Sequence, residues 1–152
     1  MSPLFKKLNW KDHSPILIRH APDSFQNELK QIAALTEVHT GLQEGLTYSF
    51  VLLFAEKVTD LHLRIDAIKH VWEGDVVLWF AYPKKSSQKY VSDITRDSGW
   101  LPLGELGFEG VRQVAIDADW SALRFRHVDY IKTMKRDHGW AMSEKGKKRT
   151  QK

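Results

Sequence analysis

The chain has 152 residues, of which 42% are hydrophobic and 28% charged, a size and composition typical of one globular domain with its own core. It contains no cysteine, which excludes disulfides, thiol catalysis and cysteine-ligated zinc and agrees with a reducing compartment. The first twelve residues lack the apolar run of a secretory signal, and no apolar stretch is long enough to span a bilayer. We therefore predict a soluble, cytoplasmic protein without a membrane partner.

The formal net charge of +4 is unevenly distributed. Residues 132–152 hold eight Lys or Arg residues against two acidic ones, so residues 1–131 carry a net charge of −2. We predict a single domain over residues 1–131 and a basic, flexible tail over residues 132–152. The domain lacks an excess of positive charge, so nucleic acid is not a predicted partner. Association with nucleic acid through the basic run at 145–149 stays open as an alternative.

The first half of the chain predicts strands and helices in alternation. Apolar runs at 16–18 and 48–55 are typical of short buried strands, and a weaker strand is predicted at 37–40. Asp23 or Ser24 can cap a helix whose apolar residues Phe25, Leu29 and Ile32 share one face. The clearest helix begins near Val58, with apolar residues spaced three or four apart as far as residue 72, and ends before a glycine.

The second half predicts a fourth strand and a closing hairpin. The strand at 76–82 is apolar at every position, as expected for a parallel strand that is covered on both faces. Ser92 and Asp93 can cap a further helix that reaches about residue 107. Two runs rich in β-forming residues, 111–117 and 120–128, are joined by only two residues, which requires an antiparallel hairpin. The fold class is therefore α/β, Rossmann-like, with a mostly parallel sheet and a C-terminal antiparallel hairpin.

These segments resemble two kinds of known protein. The run at 50–55, the helix after it, the run at 72–83 and the closing hairpin are similar to the second half of a class I methyltransferase domain. More specifically, residues 81–87 (AYPKKSS) and 119–126 (DWSALRFR) resemble a family of small uncharacterised bacterial proteins, a domain of unknown function. This resemblance covers about residues 4–128 and implies a reduced methyltransferase-like topology, but no activity.

The sequence departs from methyltransferases where they bind S-adenosylmethionine. Such sites use a glycine-rich turn after the first strand, because only glycine lets the backbone approach the ligand closely. The turn here, residues 19–25, has no glycine. The acid that holds the ribose hydroxyls at the end of the second strand is also missing, because Glu37 lies at the wrong end of that strand. The short connection to Tyr48 omits a helix, a strand and another helix. We therefore predict no cofactor.

The turn after the fourth strand is the best candidate site. Ligands of parallel α/β sheets bind beyond the carboxyl ends of the strands, where Lys84 and Lys85 can meet an anion and Ser86 and Ser87 can donate hydrogen bonds. His20 and Lys57 follow the first and third strands and are expected at the same edge. The predicted ligand-binding residues are His20, Lys57, Lys84, Lys85, Ser86 and Ser87, with an anionic small molecule as the candidate partner. No catalytic residue and no metal site are predicted.

The missing glycine and acid decide the functional hypothesis. The sequence favours a non-enzymatic, degenerate methyltransferase-like domain that binds or interacts with a partner. One alternative is a protein or enzyme that binds a small anion or nucleotide through the turn after the fourth strand. The other is nucleic-acid association through the tail.

Overall fold

A computed structural model describes residues 2–131 of the chain. The predicted tail at 132–152, and any binding through it, lie outside the described residues. The helices are α1 (Pro3–Lys7), α2 (Gln26–Ala33), α3 (Val58–Ala67) and α4 (Leu101–Glu105). The strands are β1 (Ile16–Arg19), β2 (Val38–His39), β3 (Tyr48–Phe54), β4 (Trp72–Pro83), β5 (Phe108–Ala115) and β6 (Trp120–His127).

The six strands form one sheet in the order β2-β1-β3-β4-β6-β5. The pairs β1–β2, β1–β3 and β3–β4 are parallel, whereas β6 is antiparallel to both β4 and β5. Apolar runs separated by helices produce the parallel part, and the short connection between β5 and β6 produces the hairpin. The predicted α/β, Rossmann-like fold with a C-terminal antiparallel hairpin is confirmed.

Each face of the sheet carries its own hydrophobic core. Helices α3 and α4 cover one face, where Leu61, Ile65 and Leu103 pack against alternate residues of β3 and β4. Helices α1 and α2 cover the other face. Side chains of a strand alternate between the two faces, so the central strands contribute to both cores. This explains why β3 and the second half of β4 are apolar at almost every position.

Two elements differ from the sequence-based prediction. Residues 68–71 turn after α3 and residue 72 already belongs to β4, because Tyr48 pairs with Trp72 and extends the sheet there. The helix expected from residue 92 to about 107 is reduced to the five residues of α4. Asp93 does not cap that helix; its Oδ1 accepts a hydrogen bond from the backbone N–H of Val58 at the start of α3 (2.8 Å).

The N-terminal helix α1 was not predicted. It begins with Pro3, a residue suited to the first helical turn because its missing N–H has no intrahelical partner there. Leu4, Phe5 and Leu8 are buried against the sheet. The indole Nε1 of Trp79, at the centre of β4, donates to the carbonyl oxygen of Leu8 (2.8 Å) and joins this segment to the sheet. No helix in residues 2–131 meets the length and hydropathy needed to cross a membrane.

Candidate functional site

The strand order reverses direction between β1 and β3. From β1 the chain moves outward to β2, and from β3 it moves the opposite way to β4. In open parallel α/β sheets the connections on either side of such a point leave a crevice beyond the carboxyl ends of the strands, where ligands bind. In this chain that crevice is bordered by the residues that follow Arg19 and Phe54.

A cluster of positive charge lies at this crevice. Arg19 ends β1, His20 follows it, and Arg64 of α3 donates from Nε to the carbonyl oxygen of Phe54 (3.2 Å). Burial lowers the pKa of His20, and the positive charges of Arg64 and Arg19 lower it further, against the opposing effect of Asp60. The Nε atom of Arg19 is buried and has no hydrogen-bond partner within the described residues. The residue that ends β1 therefore has a cationic donor that no described residue accepts.

The backbone bends sharply at His20, which has φ of 63°. This left-handed conformation is uncommon for residues other than glycine, although histidine adopts it more readily than most. The turn after β1 therefore has at this one residue a backbone conformation that favours glycine. The absence of glycine from residues 19–25 does not predict this conformation at His20, because a single sequence does not give the φ angle of a residue.

The second strand stops before it reaches the carboxyl edge. His39, its last residue, pairs with Leu17, two residues before the end of β1. Its ring is bonded on both sides, with Nδ1 2.6 Å from the hydroxyl of Tyr48 and Nε2 2.8 Å from Glu37 Oε2. Strand β2 thus brings no carboxylate to the crevice, as the sequence indicated for Glu37.

A separate cleft of about 510 Å³ lies at the end of β4. It is lined by residues 82–86 at the end of this strand and the turn after it, by residues 94–97, and by two residues of the hairpin, Gln113 and Ser121. On its lining, Gln113 Nε2 donates to Tyr82 Oη (3.0 Å) and to Ser121 Oγ (3.0 Å). Burial raises the pKa of the Tyr82 phenol, so this hydroxyl stays protonated at neutral pH.

The six predicted binding residues do not lie together in the structure. Lys84, Lys85 and Ser86 line the cleft, whereas His20, Lys57 and Ser87 do not. Lys57 Nζ donates to the carbonyl oxygen of Val91 (2.5 Å). Ser87 Oγ donates to Asp119 Oδ1 (2.8 Å) and accepts the backbone N–H groups of residues 89 and 90.

The hairpin supplies residues of the cleft that sequence reasoning missed. Neither Ser121 nor Gln113 is among the predicted binding residues. Antiparallel pairing places Ser121 directly opposite Tyr82, and Gln113 opposite Leu123. The signal was the short connection between the two strands, four residues long in the structure, which constrains the register of β5 against β6 and so brings Gln113 diagonally beside Ser121. No group of three or more His, Asp or Glu residues within 2–131 is arranged to hold a metal ion.

Comparison with known proteins places the fold. No family model matches the sequence, and no curated protein matches it. Solved structures do match it. A putative type 11 methyltransferase from Sulfolobus solfataricus is 11% identical, covering 91% of this chain and 95% of that chain, with a TM-score of 0.58. A SAM-dependent methyltransferase from Aquifex aeolicus is 12% identical, covering 82% and 88%, with a TM-score of 0.54. The N-methyltransferase NodS from Bradyrhizobium japonicum WM9 is 12% identical, covering 82% and 91%, with a TM-score of 0.51.

These matches confirm the methyltransferase-like fold and correct the functional hypothesis. The prediction of a non-enzymatic binding or interaction domain is wrong, because all three matched proteins are methyltransferases and each match spans most of both chains. That prediction rested on the missing glycine and the missing acid. Of the two, only the backbone conformation that favours glycine is found in the turn, at His20. The resemblance to small bacterial proteins of unknown function stays a prediction.

Proposed function

We propose that this protein transfers a methyl group from S-adenosylmethionine to a small acceptor. The observation that carries the proposal is the crevice at the reversal of strand order, where Arg19 has a buried donor without a partner among the described residues. The fold shared with SAM-dependent methyltransferases supports the same donor. When bound, S-adenosylmethionine supplies an activated methyl group.

The residues of the crevice fit one end of this cofactor. Its amino-acid part carries an ammonium and a carboxylate, and Arg19, with Arg64 nearby, offers the charge opposite to that of the carboxylate. A charge-assisted hydrogen bond is about twice as strong as a neutral one. The ribose hydroxyls have no acid from β2, since that strand ends at the level of Leu17. We therefore expect the carboxylate end to contribute more of the affinity than in a site that also holds the ribose through an acid.

The acceptor is assigned to the cleft at the end of β4, which lies at the same edge of the sheet as the crevice. Both sites follow the carboxyl ends of parallel strands, which is the edge that binds ligands in this class of sheet. In this arrangement Arg19 orients the cofactor and the cleft orients the acceptor. Proximity and orientation of two reactants are a large part of the catalysis of group transfer.

Calorimetric titration with S-adenosylhomocysteine tests the cofactor assignment. We expect saturable binding, and weakening by about tenfold or more in Arg19→Met, since a hydrogen bond to a charged group contributes about 1.5 kcal/mol or more. The substitution removes a buried donor that no described residue accepts, so the fold should tolerate it. Arg112→Met, at an exposed position of β5, is the matched control and should bind as the wild type does.

A second ligand separates the carboxylate from the rest of the cofactor. 5′-Methylthioadenosine has the nucleoside and the sulfur but lacks the amino-acid part. It should bind the wild type more weakly than S-adenosylhomocysteine and should bind Arg19→Met with unchanged affinity. Absence of S-adenosylhomocysteine binding to the wild type would refute the proposed function. Equal binding by the wild type and Arg19→Met would refute the role of Arg19.

A further inference from the structure

The cleft at the end of β4 has a polar floor of two buried hydroxyls, those of Tyr82 and Ser121, which the exposed residue Gln113 bridges. Tyr82 and Ser121 are 5% and 6% exposed, and their hydroxyl oxygens both accept from Nε2 of Gln113. The amide nitrogen of Gln113 has two protons, and both are used in these bonds. Because each hydroxyl oxygen is the acceptor in its bond with Gln113, its own O–H proton is available for donation to a ligand. Because both side chains line the cleft, the floor presents two O–H donors toward whatever occupies it.

The rim of the cleft is positively charged. Lys84, Lys85 and Arg96 are cationic, and Asp97 is the one acidic residue of the lining that the structure describes. Neither lysine ammonium forms an ion pair or a hydrogen bond with another residue in 2–131. Arg96 lies close enough to Tyr82 for its charge to act on the phenol. Protonated donors below and an excess of positive charge above are complementary to an oxyanion.

The rest of the lining combines the apolar residues Pro83 and Ile94 with the polar residues Ser86 and Thr95. Pro83 and Ile94 contribute hydrocarbon surface to the lining, and Ile94 is almost fully buried. The cleft volume of about 510 Å³ lies within the range of small-molecule sites. A lining that combines hydrocarbon surface with cationic groups and hydroxyl donors is suited to a ligand with a hydrophobic body and an anionic head.

We propose that the cleft binds the oxyanion head, a carboxylate or a phosphate, of a small acceptor with an apolar body. The role of this ligand as a methyl acceptor rests on the proposed function, whereas its binding to the cleft does not. Tyr82 and Ser121 donate to the oxyanion, and Lys84 and Lys85 balance its charge. The acceptor class is therefore acidic small molecules rather than neutral or cationic ones.

Three probes of the same body test the charge of the head. Phenyl phosphate, benzoate and neutral benzamide are titrated into the full chain, with binding followed by the chemical shifts of the backbone amides of residues 82, 84–86, 94–97, 113 and 121. We expect saturable shifts with phenyl phosphate, with benzoate or with both. Benzamide should bind at least about tenfold more weakly than the better anion, because a hydrogen bond to a charged group contributes about a factor of ten or more to affinity. The two anions distinguish a phosphate from a carboxylate site. Benzamide binding as tightly as the better anion would overturn the inference.

Two sets of variants assign the binding to the cleft. The double variant Lys84→Gln/Lys85→Gln should weaken binding of the better anion several-fold and reduce its dependence on salt. Lys6→Gln/Lys7→Gln, which removes the same charge from exposed neighbours in α1, should leave the affinity unchanged. The single variants Tyr82→Phe and Ser121→Ala each remove one hydroxyl donor of the floor without altering the charge. Each should weaken binding of the better anion. Anion binding that survives all four cleft substitutions would overturn the assignment.

The outcomes separate this inference from the proposed function. Binding of S-adenosylhomocysteine without binding of either anion would leave methyl transfer standing and refute the acidic acceptor. Anion binding without binding of S-adenosylhomocysteine would support the cleft and refute methyl transfer.

Discussion

At the scale of single residues, His13 illustrates how burial alters a titrating group. Its Nδ1 accepts the backbone N–H of Lys11 (3.1 Å), and its ring lies 5.7 Å from that of Phe50. Burial lowers the pKa of His13, Asp12 opposes this shift, and the nearby cations Lys11 and Arg124 add to it. Protonation would also remove the acceptor that Lys11 uses. The folded protein therefore prefers this histidine neutral.

A pH dependence of stability follows from this preference. The unfolded chain takes up a proton at His13 near pH 6.5, whereas the folded protein does so only at lower pH. The free energy of unfolding should therefore be constant above about pH 7 and should fall as pH decreases below about 6.5. Urea denaturation at a series of pH values measures this. His13→Asn keeps an acceptor without titrating there and should flatten the curve, whereas His70→Asn, at an exposed position, should not. A curve that His13→Asn leaves unaltered would contradict the assignment. His20 contributes in the same direction, so some slope should remain.

At the scale of elements, the segment 91–93 acts as a cap for α3. Asp93 accepts the N–H of Val58, Ser92 Oγ donates to the carbonyl oxygen of Glu56, and Lys57 Nζ reaches Val91. The first N–H groups of a helix have no partner inside the helix, so an external carboxylate stabilises its start. A segment more than thirty residues away in the sequence thus adds to the local signals that begin α3 at Val58.

Removal of this cap should cost stability. Asp93→Ala should lower the free energy of unfolding by about 1 kcal/mol, the typical cost of losing a helix cap. Asp93→Asn keeps a side-chain oxygen that accepts the Val58 N–H and should lose less than half as much. Chemical denaturation at neutral pH compares both variants with the wild type. Equal losses for the two would indicate that charge, rather than the hydrogen bond, makes the contribution.

At the scale of the whole molecule, the central strands connect the two cores. Strands β3 and β4 lie between other strands of the sheet and contribute side chains to both faces. Strand β2 has two residues, lies at the edge and pairs on one side only. Opening of β2 exposes little apolar surface, whereas opening of β3 disrupts both cores.

Native-state hydrogen exchange should reflect this difference. Backbone amides of β3 and of the 77–82 part of β4 should exchange only through global unfolding, because any opening there exposes buried apolar side chains. The amides of Val38 and His39 should exchange by local opening, at rates that depend little on low denaturant concentrations. Protection of β2 equal to that of β3 would contradict this account of where stability lies.

The sequence by itself determined the class of fold and much of its element order. Continuous apolar runs predicted the parallel strands, and the two residues between 117 and 120 required a hairpin, because both signals are local. It also placed Lys84, Lys85 and Ser86 in the turn after β4, where they line the cleft. That they bind a ligand stays a prediction.

The tertiary structure alone decided the details of the sites. The pairing of Gln113 with Tyr82 joins residues 31 positions apart, and the contact of Lys57 with Val91 joins residues 34 positions apart. Likewise, no local sequence pattern predicts the left-handed backbone of His20 or the early end of β2. Periodicity and turn chemistry act over a few neighbouring residues, whereas a binding site is assembled from segments that only the packed sheet brings together.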